Sequence, residues 1–471
     1  MKLFHIKIAF IYILIPVCIF AINDSFVLSG EGKLRFRYVE ADQDQVTGSY
    51  GEELKQGLGM RQRFDLTLDY FLTDYLTIGG TVRISNEEFE GILPPPDLIS
   101  TRTIAGWWSA NLFKPPFDIT FGAYDASFTP LTLMRWDQND NPLGASGCGC
   151  QIAVGGFSGE SLEELVEDYL LEGAHARYQN KFGDISILYA RPEVDIETES
   201  FARHMFGGHV RIILPYTRNF STLTIGITGL RVIDDTQTVS TALYDPLQSD
   251  VFGVDINLPL LWNINGVAEY ARSIRDDNLF SNVDIIHEEN GFIAGVSLKS
   301  GDRIDLNALY IQLDPYFSPL YRAISYAKNR QGFRGSFTMR KIPVMSHLLA
   351  FSLYGKVLRE IKPTWNEAIT EWHSSLIDHN IGNAALSYTL LERWKAEGSY
   401  EFRMQQRDDD VMTLADEALD LVTHVISGGL TYEFTFQTKL VLKYQYIKHI
   451  DGTGQDSYQA HMPSVQFSFK F

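Results

Sequence analysis

From Phe26 to Tyr38 the even positions are Phe26, Leu28, Gly30, Gly32, Leu34, Phe36 and Tyr38, and the odd positions include Glu31, Lys33, Arg35 and Arg37. Successive side chains of a strand point to opposite faces, so this alternation predicts an extended segment with one apolar and one charged face. Leu58 to Leu72 repeats the pattern, with Leu58, Met60, Phe64, Leu66, Leu68, Tyr70 and Leu72 set against Arg61, Arg63, Asp65 and Asp69. Runs of this length exceed the usual soluble strand of about 5–6 residues. They suit tilted strands crossing a bilayer, which need about 9–11 residues each.

The connections alternate in length. Thr73-Asp74, Pro115-Pro116, Asn180 to Gly183, Pro215 to Asn219, Ser300 to Asp302, Glu392-Arg393 and Thr435 to Gln437 read as short turns. Between them lie longer polar stretches such as Glu40 to Gln56, Asn86 to Arg102, Ala126 to Leu170 and Arg359 to Asp378. Short turns on one rim and long loops on the other are the signature of a membrane barrel. Counting segments predicts about 20 strands, within a range of 18–22, with both chain ends on the short-turn side. Aromatics gather near segment ends, at Tyr70, Phe71 and Tyr75, at Trp107, Trp108 and Phe113, and at Tyr432, Phe434 and Phe436. Such positions suit interfacial girdles.

In the final residues, Val465, Phe467, Phe469 and Phe471 fall on one face, and Ser464, Gln466, Ser468 and Lys470 on the other. This resembles the C-terminal assembly signal of bacterial outer-membrane β-barrels, where a last aromatic and alternate apolar residues dock on the barrel-assembly machinery. The resemblance implies an all-β, closed antiparallel transmembrane β-barrel in outer-membrane lipid. Closure has a physical reason: in lipid every backbone N–H and C=O must be paired within the protein, so an open sheet cannot span.

The first residues read as a signal peptide. Lys2 and Lys7 form a positive start, and Ile8 to Ala21 an apolar run too short for a membrane span. Cys18 follows Val17, whereas a lipoprotein site wants a small residue there. The expected organisation is residues 1–21 as signal peptide and 22–471 as one barrel domain, without an N-terminal plug domain. Past the signal no run of about 18 apolar residues occurs. An apolar share of 45% beside a charged share of 21% fits alternation between lipid-facing and water-facing positions. Without Lys2 and Lys7 the chain holds 38 Lys and Arg against 59 Asp and Glu, a balance of −21. That argues against nucleic acid as a partner.

Candidate chemistry concentrates in one loop and the strands before it. Within Ala126 to Leu170, Ser161-Leu162-Glu163-Glu164 matches a capping box. Leu162, Leu165, Val166, Tyr169 and Leu170 then follow at helical spacing, with Glu163, Glu164, Glu167 and Asp168 on the opposite face. The place of this partly helical loop, after the fifth predicted strand, resembles the inward-folded constriction loop of general porins. Lys33, Arg35, Arg37, Arg61, Arg63 and Arg83 are expected on the lumen face. Such a basic set needs counter-charge, from water and ions or from carboxylates. An acidic helix against it would set a transverse field across an aperture. The other reading is a solvated loop outside and arginines wetting a wide lumen.

Cys148-Gly149-Cys150 suits a local disulfide before free thiols, and a metal site least, since no Cys or His partner lies at ligand spacing. Acidic loops, for example Glu193, Asp195, Glu197 and Glu199, could hold divalent cations bridging to phosphorylated lipid. The absence of fixed ligand spacing favours plain solvated carboxylates. No G-x-S-x-G, H-E-x-x-H or phosphate-loop signature occurs. The expectation is a non-enzymatic, cofactor-free porin-like channel for small hydrophilic solutes. The alternative is a non-transporting adhesin or structural barrel with a loop-filled lumen. A third reading, export of a hydrophobic molecule, requires a lateral gap near Gly207-Gly208 or Gly428-Gly429.

Overall fold

The computed structural model describes residues 25–42, 46–47, 53–54, 56–86, 102–124, 126–133, 171–191, 193–196, 199–215, 222–237, 245–261, 263–279, 286–317, 328–344, 347–363, 365–366, 371–372, 376–390, 393–407, 419–452 and 457–471. The predicted signal peptide, the acidic segment 161–168 and the pair Cys148 and Cys150 lie outside the described residues.

Twenty strands form a closed antiparallel barrel. The first five are β1 (Phe26–Ala41), β2 (Gly57–Thr73), β3 (Leu76–Asn86), β4 (Arg102–Lys114) and β5 (Phe117–Tyr124). They are followed by β6 (Leu171–Asn180), β7 (Gly183–Ala190), β8 (Glu199–Pro215), β9 (Thr222–Asp234) and β10 (Gln248–Leu261). Next come β11 (Ile264–Asp276), β12 (Ile286–Ser300), β13 (Ile304–Leu313), β14 (Arg330–Val344) and β15 (His347–Glu360). The last are β16 (Asp378–Leu390), β17 (Trp394–Arg407), β18 (Leu419–Thr435), β19 (Thr438–Asp451) and β20 (Tyr458–Lys470).

Each strand pairs with its sequence neighbours, and β20 pairs with β1 from Ala41 opposite Ala460 to Glu31 opposite Lys470. Every edge is therefore used, as a bilayer demands. Four register shifts occur, between Phe71 and Thr73, Pro259 and Leu261, Met339 and Ile342, and Glu433 and Thr435. All four lie at the short-turn rim. An extra residue there bends a strand and tightens its twist without opening the mid-wall ladder.

The alternation read from the sequence sorts the two faces. Phe36, Tyr38, Leu58, Leu68, Ile78, Val82 and Trp108 are exposed on the outside. Arg35, Arg63, Asp65 and Arg83 are buried on the inside. An exterior this apolar would not suit water. The crossing is made by strands; among the described residues no helix is long and apolar enough to cross a membrane. No lateral gap opens at the glycine pairs. Gly207 and Gly208 pair on both sides, with Leu230 and Gly229 and with Leu188 and Ile187. Gly428 and Gly429 do likewise, with Gly398 and Glu397 and with Tyr444 and Lys443.

Candidate functional site

The inward face of β1, β2 and β3 carries Lys33, Arg35, Arg37, Arg63 and Arg83 of the predicted basic set, and the side chain of Arg61 lies outside the described ones. Register places Lys33 opposite Arg63 and Arg35 opposite Arg61, two like-charged cross-strand pairs. Such pairs are unfavourable unless counter-charge sits beside them. It comes from the strands themselves. Asp65, two residues along β2 from Arg63 and opposite Arg83, takes both guanidinium groups. Arg63 Nε donates to Asp65 Oδ2 at 2.8 Å and its Nη2 to the same oxygen at 2.5 Å. Arg83 Nε donates to Asp65 Oδ1 at 2.8 Å and its Nη2 to Oδ2 at 3.2 Å. Glu31 does the same lower on the wall, with Lys33 Nζ at 3.2 Å and Lys470 Nζ at 3.5 Å.

These carboxylates were legible as the i±2 neighbours of the basic residues on one strand face, a spacing that keeps two side chains on one side of the sheet. Carboxylates were one expected source of counter-charge, and here the strands carry them. Trp107 is a correction. It belongs to the inward face of β4 rather than to an interfacial girdle, and the Arg83 guanidinium lies 5.1 Å from its ring centre. The register Gly80 to Trp108 and Thr81 to Trp107 puts the two tryptophans on opposite faces, and only Trp108 is exposed outward.

The long loop after β5 does turn inward over its described stretch, residues 126–133. Leu131 N donates to Glu269 Oε1 of β11 at 2.9 Å, across 138 residues of chain. The Phe128 ring stacks on His209 of β8 with centroids 5.7 Å apart. Inward glycines make room: a Cβ on Gly207 would stand 3.0 Å from Phe128, and one on Gly253 only 2.8 Å from Thr132. Leu131 and Leu133 are wholly buried, in one cluster with Leu188, Met205, Leu230, Val251 and Phe317. This stretch is apolar and seats on β8 to β11, not on the basic wall. A further charged sector, not singled out in the sequence, lines β14 to β17. There Arg403 bonds Glu401, which also accepts from Asn383 Nδ2 at 3.2 Å. Glu360 accepts from Ile377 N at 3.0 Å.

A closed sheet, greasy outside and charge-matched inside, settles what kind of molecule this is. It is a closed antiparallel β-barrel with an apolar exterior. No protein-family model matches the chain, and no curated protein matches its sequence. Among solved structures, it is similar to OpdL of Pseudomonas aeruginosa, with 10% identity over 95% of this chain and 99% of that one, at a TM-score of 0.45. OpdK of the same organism is 8% identical over 94% and 99%, with a TM-score of 0.44. OmpT of Vibrio cholerae is 11% identical over 95% and 99%, with a TM-score of 0.35.

On the barrel's outside, the predicted girdle forms at the short-turn rim. Phe71, Tyr75, Phe113, Phe117, Phe182 and Phe436 are exposed there. Phe26 stacks on Tyr70 with ring centres 4.4 Å apart, and Trp394 packs tilted against Tyr432 at 4.5 Å. Val465, Phe467 and Phe471 are exposed on the outer face of β20, with Phe469 partly covered. Gly30 and Gly32 on β1 explain how the seam accepts these rings. Phe471 and Gly30 exchange backbone hydrogen bonds of 3.0 Å each. A Cβ on Gly30 would meet the Phe471 ring at 2.5 Å, and one on Gly32 the Phe469 ring at 2.3 Å. Two bare backbone positions thus cup the two terminal aromatics, an arrangement known to offset the weakness of glycine in strands.

Proposed function

We propose that the barrel is a passive channel for small hydrophilic solutes. One observation carries this reading: the inward positions in the short-turn half of the wall are polar nearly all the way round. Asp184 on β7, Thr224 on β9, Asn257 on β10, Asp305 on β13, Ser352 on β15 and Ser464 on β20 are examples. A barrel filled by its own core has no use for such a lining, whereas a water column solvates it. The basic wall of Lys33, Arg35, Arg37, Arg61, Arg63 and Arg83 biases which ions pass. The acidic residues Glu163, Glu164, Glu167 and Asp168 supply the opposite sign over the aperture, and Cys148 and Cys150 stiffen their loop. Residues 1–21 direct export and are removed, and the outer face of β20, ending at Phe471, is the assembly signal.

Liposomes containing the purified protein test this. Swelling in isotonic neutral solutes should be rapid for the smallest and fall as solute size rises. The packing of Leu131 and Leu133 inside the wall favours one rival, a sealed barrel serving as an adhesin. No swelling by any solute would support that rival and overturn the channel.

A further inference from the structure

At the foot of the basic wall five neighbouring strands line an open cavity of ≈ 330 Å³. We propose that it is a binding subsite for a neutral saccharide on its way through the lumen. This rests on the channel reading above and names a solute class for it. The volume lies at the lower end of the range for small-molecule pockets, about 300–1,000 Å³.

The chemistry of the lining favours hydroxyl groups over cations. Two side-chain carboxylates face the cavity, Glu31 and Asp65. Both are already engaged, Glu31 by Lys33 and Lys470, and Asp65 by Arg63 and Arg83. A bare cation entering would find both carboxylates taken and four basic groups beside them. Acceptor capacity nevertheless remains, because a carboxylate offers about four lone-pair sites. Asp65 Oδ1 accepts Arg83 Nε, while Oδ2 takes the other three bonds. Oδ1 therefore keeps room for an O–H donor.

Hydroxyls complete the complement. Thr67 Oγ1 and Thr81 Oγ1 lie 2.9 Å apart and both line the cavity. One donates to the other, so the accepting partner has its own hydrogen to give outward. Each wall group can thus meet a hydroxyl, which is donor and acceptor at once. Trp107 adds a rigid apolar surface, and the Arg83 guanidinium is held between it and Asp65. A saccharide ring presents the same mixture of C–H face and hydroxyl rim. A small carboxylate or an ammonium group presents only one of the two.

The test uses the full protein with glucose and maltose as probes, and sodium acetate and glycine as controls. In planar bilayers maltose should interrupt the single-channel current in a concentration-dependent way, and acetate or glycine should not. Thr67→Val with Thr81→Val should leave the open current intact and raise the half-blocking maltose concentration about tenfold, as loss of two neutral hydrogen bonds implies. A second measurement works without conduction. In detergent micelles maltose should change tryptophan fluorescence, and Trp107→Phe should abolish that change. A conducting channel indifferent to both sugars, blockade equal in the valine variant, or equal blockade by acetate would overturn the subsite. Absence of current would remove the channel reading, while the fluorescence titration still decides whether the cavity binds sugar.

Discussion

Along β1 and β2 the inward positions carry Lys33, Arg35, Arg63 and Asp65, whereas along β9 and β10 they carry Leu230, Val232 and Val251. The two regions belong to one sheet with the same alternation and the same lipid outside. They differ in what their inner faces meet. In the first, polar groups have only one another and the lumen, so charges are matched laterally between neighbouring strands, through Asp65 and Glu31. In the second, residues 126–133 fold in and bury the wall as a soluble core would. One side of the barrel is held by ion pairs and the other by packing.

The largest effect should come from removing the carboxylate that joins β2 to β3. Asp65→Ala leaves two buried guanidinium groups without their shared partner, a change that typically costs about 3–5 kcal/mol. Urea unfolding of the reconstituted barrel reads it. Asp65→Ala combined with Arg83→Ala should cost less than the two single changes added together. Strict additivity would mean that the ion pairs do not hold this side.

Leu131→Ala attacks the other side. Burial without exposure predicts a loss of about 2–5 kcal/mol for a leucine so placed. The comparison adds a sharper expectation: freeing this stretch should raise single-channel conductance, while Asp65→Ala should chiefly change selectivity. If Leu131→Ala leaves both stability and conductance untouched, the packed sector is not part of the wall's architecture.

Gly30→Ala tests the seam between the regions' shared ends. Its Cβ would approach the Phe471 ring to 2.5 Å and the Asp65 carbonyl oxygen to 2.9 Å. The ring can turn away but the backbone oxygen cannot, so about 1–3 kcal/mol of overpacking is expected. Slower assembly into lipid vesicles should accompany it. A variant that assembles and unfolds like the parent would show that the cup around the terminal rings is dispensable.

The smallest effect belongs at the short-turn rim, outside the membrane. The Asp302 carboxyl is held below its usual value of 3.8 by the Lys341 ammonium. A depressed carboxyl contributes stability that is present above 3.8 and is lost as pH falls through its folded value. Both groups are exposed, so solvent screens the pair. Asp302→Asn should therefore flatten the acid limb of stability slightly, at a small, screened cost at neutral pH, where the pair is formed. A marked loss at neutral pH would contradict this.

Much of the wall was legible. Alternation over Phe26–Tyr38 and Leu58–Leu72 assigns Arg35, Arg63 and Arg83 inward and Phe36, Leu58 and Leu68 outward, because a period of two leaves no other choice in a strand. Strand number came out because nearly every hairpin is marked by turn chemistry or a long polar stretch. The turns between Leu261 and Ile264 and between Val344 and His347 carried no such mark. What alternation cannot tell is what stands opposite an inward face. Trp107 looked like its neighbour Trp108 because two adjacent aromatics satisfy either face. The place of the loop after the fifth strand pointed inward but did not say where residues 126–133 would seat; Gly207 and Gly253, bare inward positions, mark that close approach.

The central claim is that the basic wall borders a conducting, water-filled lumen. Reversal potential under a salt gradient, compared between the parent and Arg61→Glu with Arg63→Glu, tests it most directly. The potential should move toward cation selectivity by a margin that shrinks at high salt, as screening requires. An unchanged potential in a conducting barrel would place those side chains away from the ion path and contradict the account.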